Sequence, residues 1–196
     1  MFKKEKCAVF SCLGLGDGLI ALVLSNNLMM NDCEVITYHP SLNGLQPWFP
    51  TLPIRPFPSL TSLDAELSNY DRFFIFYEKT EWMQAVIQKC LTSFRSKTYV
   101  LNPIATANCD YPFWEEGKFD GRKSLVDNLY LFCKDILKLK LASRTNGISP
   151  LPGLSFRKEK QRIVIHPTSS REGKNWPREK YLLLSQKLKN NGFEPA

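Results

Sequence analysis

Residues 7–38 read CAVFSCLGLGDGLIALVLSNNLMMNDCEVITY, and this stretch decides the fold. Cys7 to Leu13 is an apolar run of strand length. Gly14, Gly16 and Gly18 interrupt it. From Leu19 to Leu28 the chain continues without Gly or Pro, which predicts a buried helix ending near Asn31. Cys33 to Tyr38 is the next strand. Strand, glycine turn, helix and strand make the opening of a βαβ unit, so the fold class is α/β with a Rossmann-like parallel sheet. Lys3, Lys4 and Lys6 ahead of an apolar stretch imitate a signal peptide or membrane anchor. Asp17 and the glycines argue against it, because a carboxylate in mid-membrane costs about 2.5–3.5 kcal/mol. The reading is a cytoplasmic protein.

Further along, prolines at 40, 47, 50, 53, 56 and 58 mark an ordered loop anchored by Trp48 and Phe49. Arg72–Tyr77 reads as a buried strand, Thr80–Phe94 as a helix and Lys97–Leu101 as another strand. Residues 102–121 form a loop carrying Tyr111, Phe113, Trp114 and Phe119. Apolar residues spaced by three or four from Leu125 to Leu141 predict a long helix. Ser143–Ser155 holds Gly147, Pro150, Pro152 and Gly153, the composition of a linker. A second βα pair follows: a strand over Arg162–His166, a polar loop, and a helix from Pro177 to Asn190. Asn191-Gly192 stops that helix, and Phe193 opens the next strand. The expected domains are 1–142, a linker over 143–160, and the start of a second domain over 161–196.

Of 196 residues, 43% are hydrophobic and 23% charged, which excludes disordered and collagenous classes. The net charge of +7 is uneven. Residues 1–154 hold 16 basic against 15 acidic side chains, and residues 155–196 hold 10 against 4. Such a basic segment attracts phosphorylated ligands, nucleic acid or anionic membrane. No nucleic-acid reading motif accompanies it. The six cysteines form no C-x-x-C pair and no His cluster joins them, so the expectation is free core thiols in a reducing compartment, without a metal site.

Two motifs carry chemistry. Gly14-Leu-Gly16-Asp17-Gly18 lies between a strand and a helix. It is not the dinucleotide fingerprint, since Leu19 stands where G-x-G-x-x-G requires glycine, and no Gly-Lys-Ser/Thr makes it a P-loop. Asp17 would repel a phosphate docked on this turn. It suits proton abstraction from a hydroxyl or hydrogen bonding to a sugar, or alternatively it only caps the helix. His166-Pro167-Thr168-Ser169-Ser170-Arg171-Glu172-Gly173-Lys174-Asn175-Trp176-Pro177 supplies hydroxyls and cations between a strand end and a helix start. Ligands of α/β sheets bind at that edge, although a polar surface loop has the same composition.

Together, Gly14-x-Gly16-Asp17, His166-Pro167-x-Ser169 and Lys174-x-Trp176-Pro177 resemble glycosyltransferase family 9, the ADP-heptose:lipopolysaccharide heptosyltransferases. Residues 7–28 and 162–192 carry the resemblance. It implies a GT-B fold of two Rossmann-like domains and an inverting, metal-independent transfer of a heptose-type sugar. The donor is an ADP-sugar and the acceptor a lipopolysaccharide core at the inner membrane surface, with peripheral contact there and no cofactor. By the same resemblance Asp17 is the catalytic base, Lys174 faces the donor diphosphate with Thr168 and Ser169, and Gly14, Gly16 and Gly18 form the acceptor-side loop. Family members continue through an Asp-x-Gly-x-x-His segment that this sequence does not reach. The expectation is therefore a second domain present only as its first βα unit, and the alternative function is a truncated, non-catalytic nucleotide-sugar or glycan-binding remnant.

Overall fold

A computed structural model describes residues 3–102, 119–154, 159–169 and 172–196. The aromatic loop residues Tyr111, Phe113 and Trp114, and Ser170 and Arg171 of the second motif, lie outside the described residues. The chain forms two compact units, Met1–Leu151 and Pro152–Ala196.

In the first unit five parallel strands make one sheet: β1 (Lys6–Phe10), β2 (Glu34–Tyr38), β3 (Ile54–Arg55), β4 (Arg72–Phe76) and β5 (Thr98–Leu101), in the order β3-β2-β1-β4-β5. The central strand pairs Cys7 with Val35 on one side and Ala8 with Phe73 on the other. Alternate residues of β1 and β4 serve opposite faces. Cys7, Val9, Phe74 and Phe76 pack with α1 (Leu15–Met30). Ala8, Phe10, Phe73 and Ile75 pack with α2 (Leu63–Leu67) and α3 (Glu81–Ser93). Both faces are covered, which is why these strands read as continuous apolar runs. Thr80 caps α3, its hydroxyl accepting the Met83 N–H at 3.3 Å.

The proline-rich loop holds more structure than its composition suggests. Leu42–Trp48 is a 3-10 helix and Ile54–Arg55 pairs with β2. Gln46 fastens the loop, donating to the Phe49 and Leu52 carbonyls at 2.7 and 2.9 Å and accepting the Ile54 N–H at 2.8 Å. Phe49 is fully buried beside Leu22.

From Ala21 to Leu28, α1 is buried on every side. The sheet covers one face and the 3-10 loop another. The segment after α4 (Leu125–Leu131) covers a third. α4 passes into a π-helical turn, Phe132–Ile136, and stops well short of the expected Leu141. Lys138 takes a left-handed φ of 53° and the Leu139 N–H bonds the Cys133 carbonyl at 3.0 Å, a left-handed helix ending with lysine where glycine is usual. The chain then runs back along α1, and three asparagines receive it. Asn31 exchanges two hydrogen bonds with Leu141 (2.7 and 3.0 Å) and Asn27 two with Ser143 (2.8 and 2.6 Å). Asn26 donates to the Thr145 carbonyl at 3.2 Å. Each primary amide acts as a peptide group toward the returning backbone, and the pairing also answers the polar side chains of Asn26 and Asn27, which are buried. Residues 143–151 therefore belong to the first unit.

Cys7 and Cys33 contact one another across β1 and the start of β2. Hydrogen bonding with Cys33, and then burial, push the Cys7 thiol up, while the same bond pulls Cys33 down.

The second unit contains β6 (Arg162–Ile163), a 3-10 turn (Glu172–Lys174), α5 (Arg178–Asn190) and β7 (Glu194–Pro195), with β6 and β7 parallel. Gly192, at φ 80°, ends α5. None of its described residues is buried, and Val164, Leu182 and Leu183 are open to solvent. Among the described residues of the whole chain, no helix is long and apolar enough to cross a membrane.

Asn27→Ala strips the half-buried Ser143 backbone of both partners. Urea denaturation of this variant is expected to show a loss of about 2 kcal/mol with an unchanged slope, the cost of leaving buried polar groups unmade.

Candidate functional site

β1 sits between β2 and β4, and the connections from those strands leave in opposite directions. The carboxyl ends of β1 and β4 are thus the topological switch point, where open α/β sheets place their ligands. Four polar residues converge around it: Cys12 and Asp17 after β1, His39 after β2, and Glu78 after β4.

The turn after β1 begins α1 at Leu15, with Gly14 as N-cap and no side chain capping it. Asp17 is therefore the third residue of the helix, and the capping alternative is not its role. Its carboxylate folds back over the Gly14 Cα, so close that a Cβ at residue 14 would lie 2.5 Å from Asp17 Oδ2. Any side chain there would displace the carboxylate. Asp17 is exposed, and among the described residues its carboxylate has no hydrogen-bond or ion-pair partner. Gly16 faces open space.

His39 holds the turn from below. It is fully buried. Its Nδ1 accepts the N–H groups of Ser41 and Leu42, both at 3.0 Å, so its Nε2 carries the proton and donates to the Gly14 carbonyl at 3.2 Å. Burial holds His39 below the ordinary imidazole value, against the opposing pull of the Gly14 carbonyl and the Asp17 and Glu78 charges. The ring is neutral and structural, a strut rather than a proton shuttle. It presses so closely on Gly18 that a Cβ there would lie 2.4 Å from His39 Cδ2 and 2.5 Å from Leu42 Cδ1. Gly18 is required by this contact.

Glu78 bridges the two strand ends, accepting the Leu13 N–H at 2.9 Å. Cys12 donates weakly to the Tyr77 carbonyl at 3.6 Å. Burial, then the Glu78 and Asp17 charges, push its thiol up to about 12, so it is no nucleophile at neutral pH. The rim is acidic. Two carboxylates suit it to sugar hydroxyls, which donate to them, and make it hostile to a phosphate.

The motif of the second unit is separate in the chain and is built differently. Thr168 lines a cavity of about 650 Å³ with Glu172, Trp176, Arg178 and Tyr181. The Trp176 and Tyr181 rings lie 5.6 Å apart, and the backbone N–H of Trp176 donates to the Tyr181 hydroxyl at 3.3 Å. Lys174 and Ser169 are exposed on the flanking turns and are not part of the cavity wall. Asp17 and Lys174 belong to different units. A smaller cavity of about 340 Å³ in the first unit touches none of these residues. Its lining includes the ion pairs Lys6–Glu34 and Arg55–Glu66, which neutralise its walls.

His39 and Glu78 were not legible as site residues. The signal available was positional: each follows the carboxyl end of a strand flanking the glycine turn. The chain matches no protein-family model, no curated protein and no solved structure.

Two outcomes follow from this geometry. Gly18→Ala is expected to destabilise the fold by about 1–3 kcal/mol in urea melts, the usual range for overpacking. The depressed His39 pKa means that stability is complete above about pH 6.5, the unfolded value. It falls as the pH drops below that point, because the unfolded chain then binds a proton the folded one refuses. Urea midpoints between pH 8 and 5 should show this loss, and His39→Gln should flatten it.

Proposed function

We propose that the chain is a GT-B-type sugar transferase of the family 9 kind, moving a heptose-type sugar from an ADP-sugar to a lipopolysaccharide core. The observation that carries the reading is the Asp17 carboxylate at the switch point, exposed and without a partner among the described residues, in an acidic rim suited to a polyhydroxylated acceptor. Asp17 takes the proton of the acceptor hydroxyl as that oxygen attacks the anomeric carbon. The bond to the diphosphate breaks on the opposite face, which inverts the configuration. Glu78 and Gly14 fix the position of the turn that presents Asp17. In the second unit, Thr168, Ser169 and the Lys174 ammonium supply the donors and the charge for the departing diphosphate. Trp176 and Tyr181 offer flat apolar surface beside them.

A second reading, a module that binds nucleotide sugar or glycan without transferring, is favoured by the second unit. A donor pocket without a single buried residue around it is poorly organised for transition-state stabilisation, which needs preformed donors.

Incubation with ADP-heptose and lipopolysaccharide core oligosaccharide, read as ADP release, separates the two. The transferase reading expects turnover that falls about 100-fold or more in Asp17→Asn, with the urea midpoint unchanged. Binding of the ADP-sugar without turnover supports the module. An Asp17→Asn protein with full activity removes Asp17 from the chemistry.

A further inference from the structure

The amino edge of the sheet, opposite the rim that carries Asp17, holds a second cluster of reactive side chains. Parallel pairing sets Cys7 opposite Val35. Cys33, two residues before Val35, and Glu5, two before Cys7, therefore point to the same face of the sheet. The Glu34 N–H bonds the Glu5 carbonyl at 2.8 Å and keeps the two chains in step down to this edge. The ligand atoms of Glu5, Cys7 and Cys33 all lie within 4.8 Å of one another. Cys7 is fully buried and forms the floor, while Cys33 and Glu5 are half-buried and form the mouth.

From this arrangement we propose that Glu5, Cys7 and Cys33 bind a thiophilic divalent cation, zinc by preference, with the fourth position open to solvent.

The spacing suits the metal. Tetrahedral zinc with sulfur at about 2.3 Å sets its ligands roughly 3.8 Å apart, and the three ligand atoms lie within 4.8 Å of one another. Two thiolates and a carboxylate select zinc over the hard cations that need all-oxygen shells. The charge balance is also supplied. Binding releases the two thiol protons to solvent, and Zn²⁺ with two thiolates and one carboxylate carries a net charge of −1. The Arg72 guanidinium lies 2.8 Å from Glu5 Oε1 and offsets that charge. It also orients the carboxylate, leaving Oε2 turned toward the Cys33 sulfur at 3.9 Å. Metal sites commonly hold a carboxylate ligand in place through such a neighbouring hydrogen-bonding group.

The test uses the full chain, reduced and stripped of metal. Zn²⁺ is titrated in competition with a chromophoric chelator, and Co²⁺ is added separately to read the sulfur-to-cobalt charge-transfer band. The expected result is one Zn²⁺ per chain and a cobalt spectrum showing thiolate ligation. Cys33→Ser should weaken binding by more than 10-fold and Arg72→Lys by about 10-fold, while Cys90→Ser binds as the parent does. Zn²⁺ should raise the Tm of the parent and not that of Cys33→Ser. Cys33 is half-exposed, so its variant folds where a Cys7 variant risks not folding. The proposal is overturned by absence of one-to-one binding to the parent, by a cobalt spectrum without the sulfur band, or by unweakened binding in Cys33→Ser.

Discussion

A helix enclosed on every side must have its polar groups answered from elsewhere in the chain, and α1 is such a helix from Ala21 to Leu28. Its apolar residues face the sheet and the proline-rich loop. The third side is closed by Asn26, Asn27 and Asn31, which pair with the chain from Leu141 to Thr145. An asparagine side chain offers one carbonyl and one amide, as a peptide does, so a helix can dock a strand-like segment without a sheet edge. The start of α1 depends on this fixed placement. Because the helix cannot shift, its first turn delivers Gly14 to the His39 ring and Asp17 to the rim between β1 and β4.

Most of the strand and helix plan was legible. Cys7–Leu13, Cys33–Tyr38, Arg72–Tyr77 and Lys97–Leu101 are strongly apolar runs because both sheet faces are covered. Thr80 before α3 is a cap with a local mechanism. The helix after Leu125 was expected to reach Leu141, since the apolar spacing continues. The chain instead leaves the helix at Lys138, and what draws it away is the row of asparagines more than a hundred residues earlier. That attraction leaves no local mark, so residues 143–151 carry a linker's composition while performing a structural task. The two-residue β3 was hidden in the same way, its pairing supplied by Gln46 and Thr37 rather than by its own sequence.

The site was legible to the same extent. Gly14, Gly18 and Asp17 stand together in sequence and are together in space. His39 and Glu78 arrive through parallel register, across 25 and 65 residues, and a single imidazole after a strand has no pattern to announce it. Cys7 and Cys33 show the same limit. Absence of a C-x-x-C pair excludes only a local thiol pair, whereas adjacent parallel strands bring together cysteines of any separation. The two units also differ in kind. The first has side chains buried on both faces of a sheet, while the second presents Val164, Leu182 and Leu183 to solvent.

The asparagine row also has a bearing on how the chain is made. Asn27 and Ser143 are 116 residues apart, so α1 leaves the ribosome long before the segment that encloses it. Until residue 145 has been synthesised, one flank of α1 stands bare, with amides paired only to water. Loop closure over such a span is slow compared with local helix formation, and synthesis proceeds at about 5–20 residues per second. For several seconds, then, the nascent chain lacks the segment that closes this flank. The return of the chain from Leu141 to Thr145 supplies the partners of Asn26, Asn27 and Asn31.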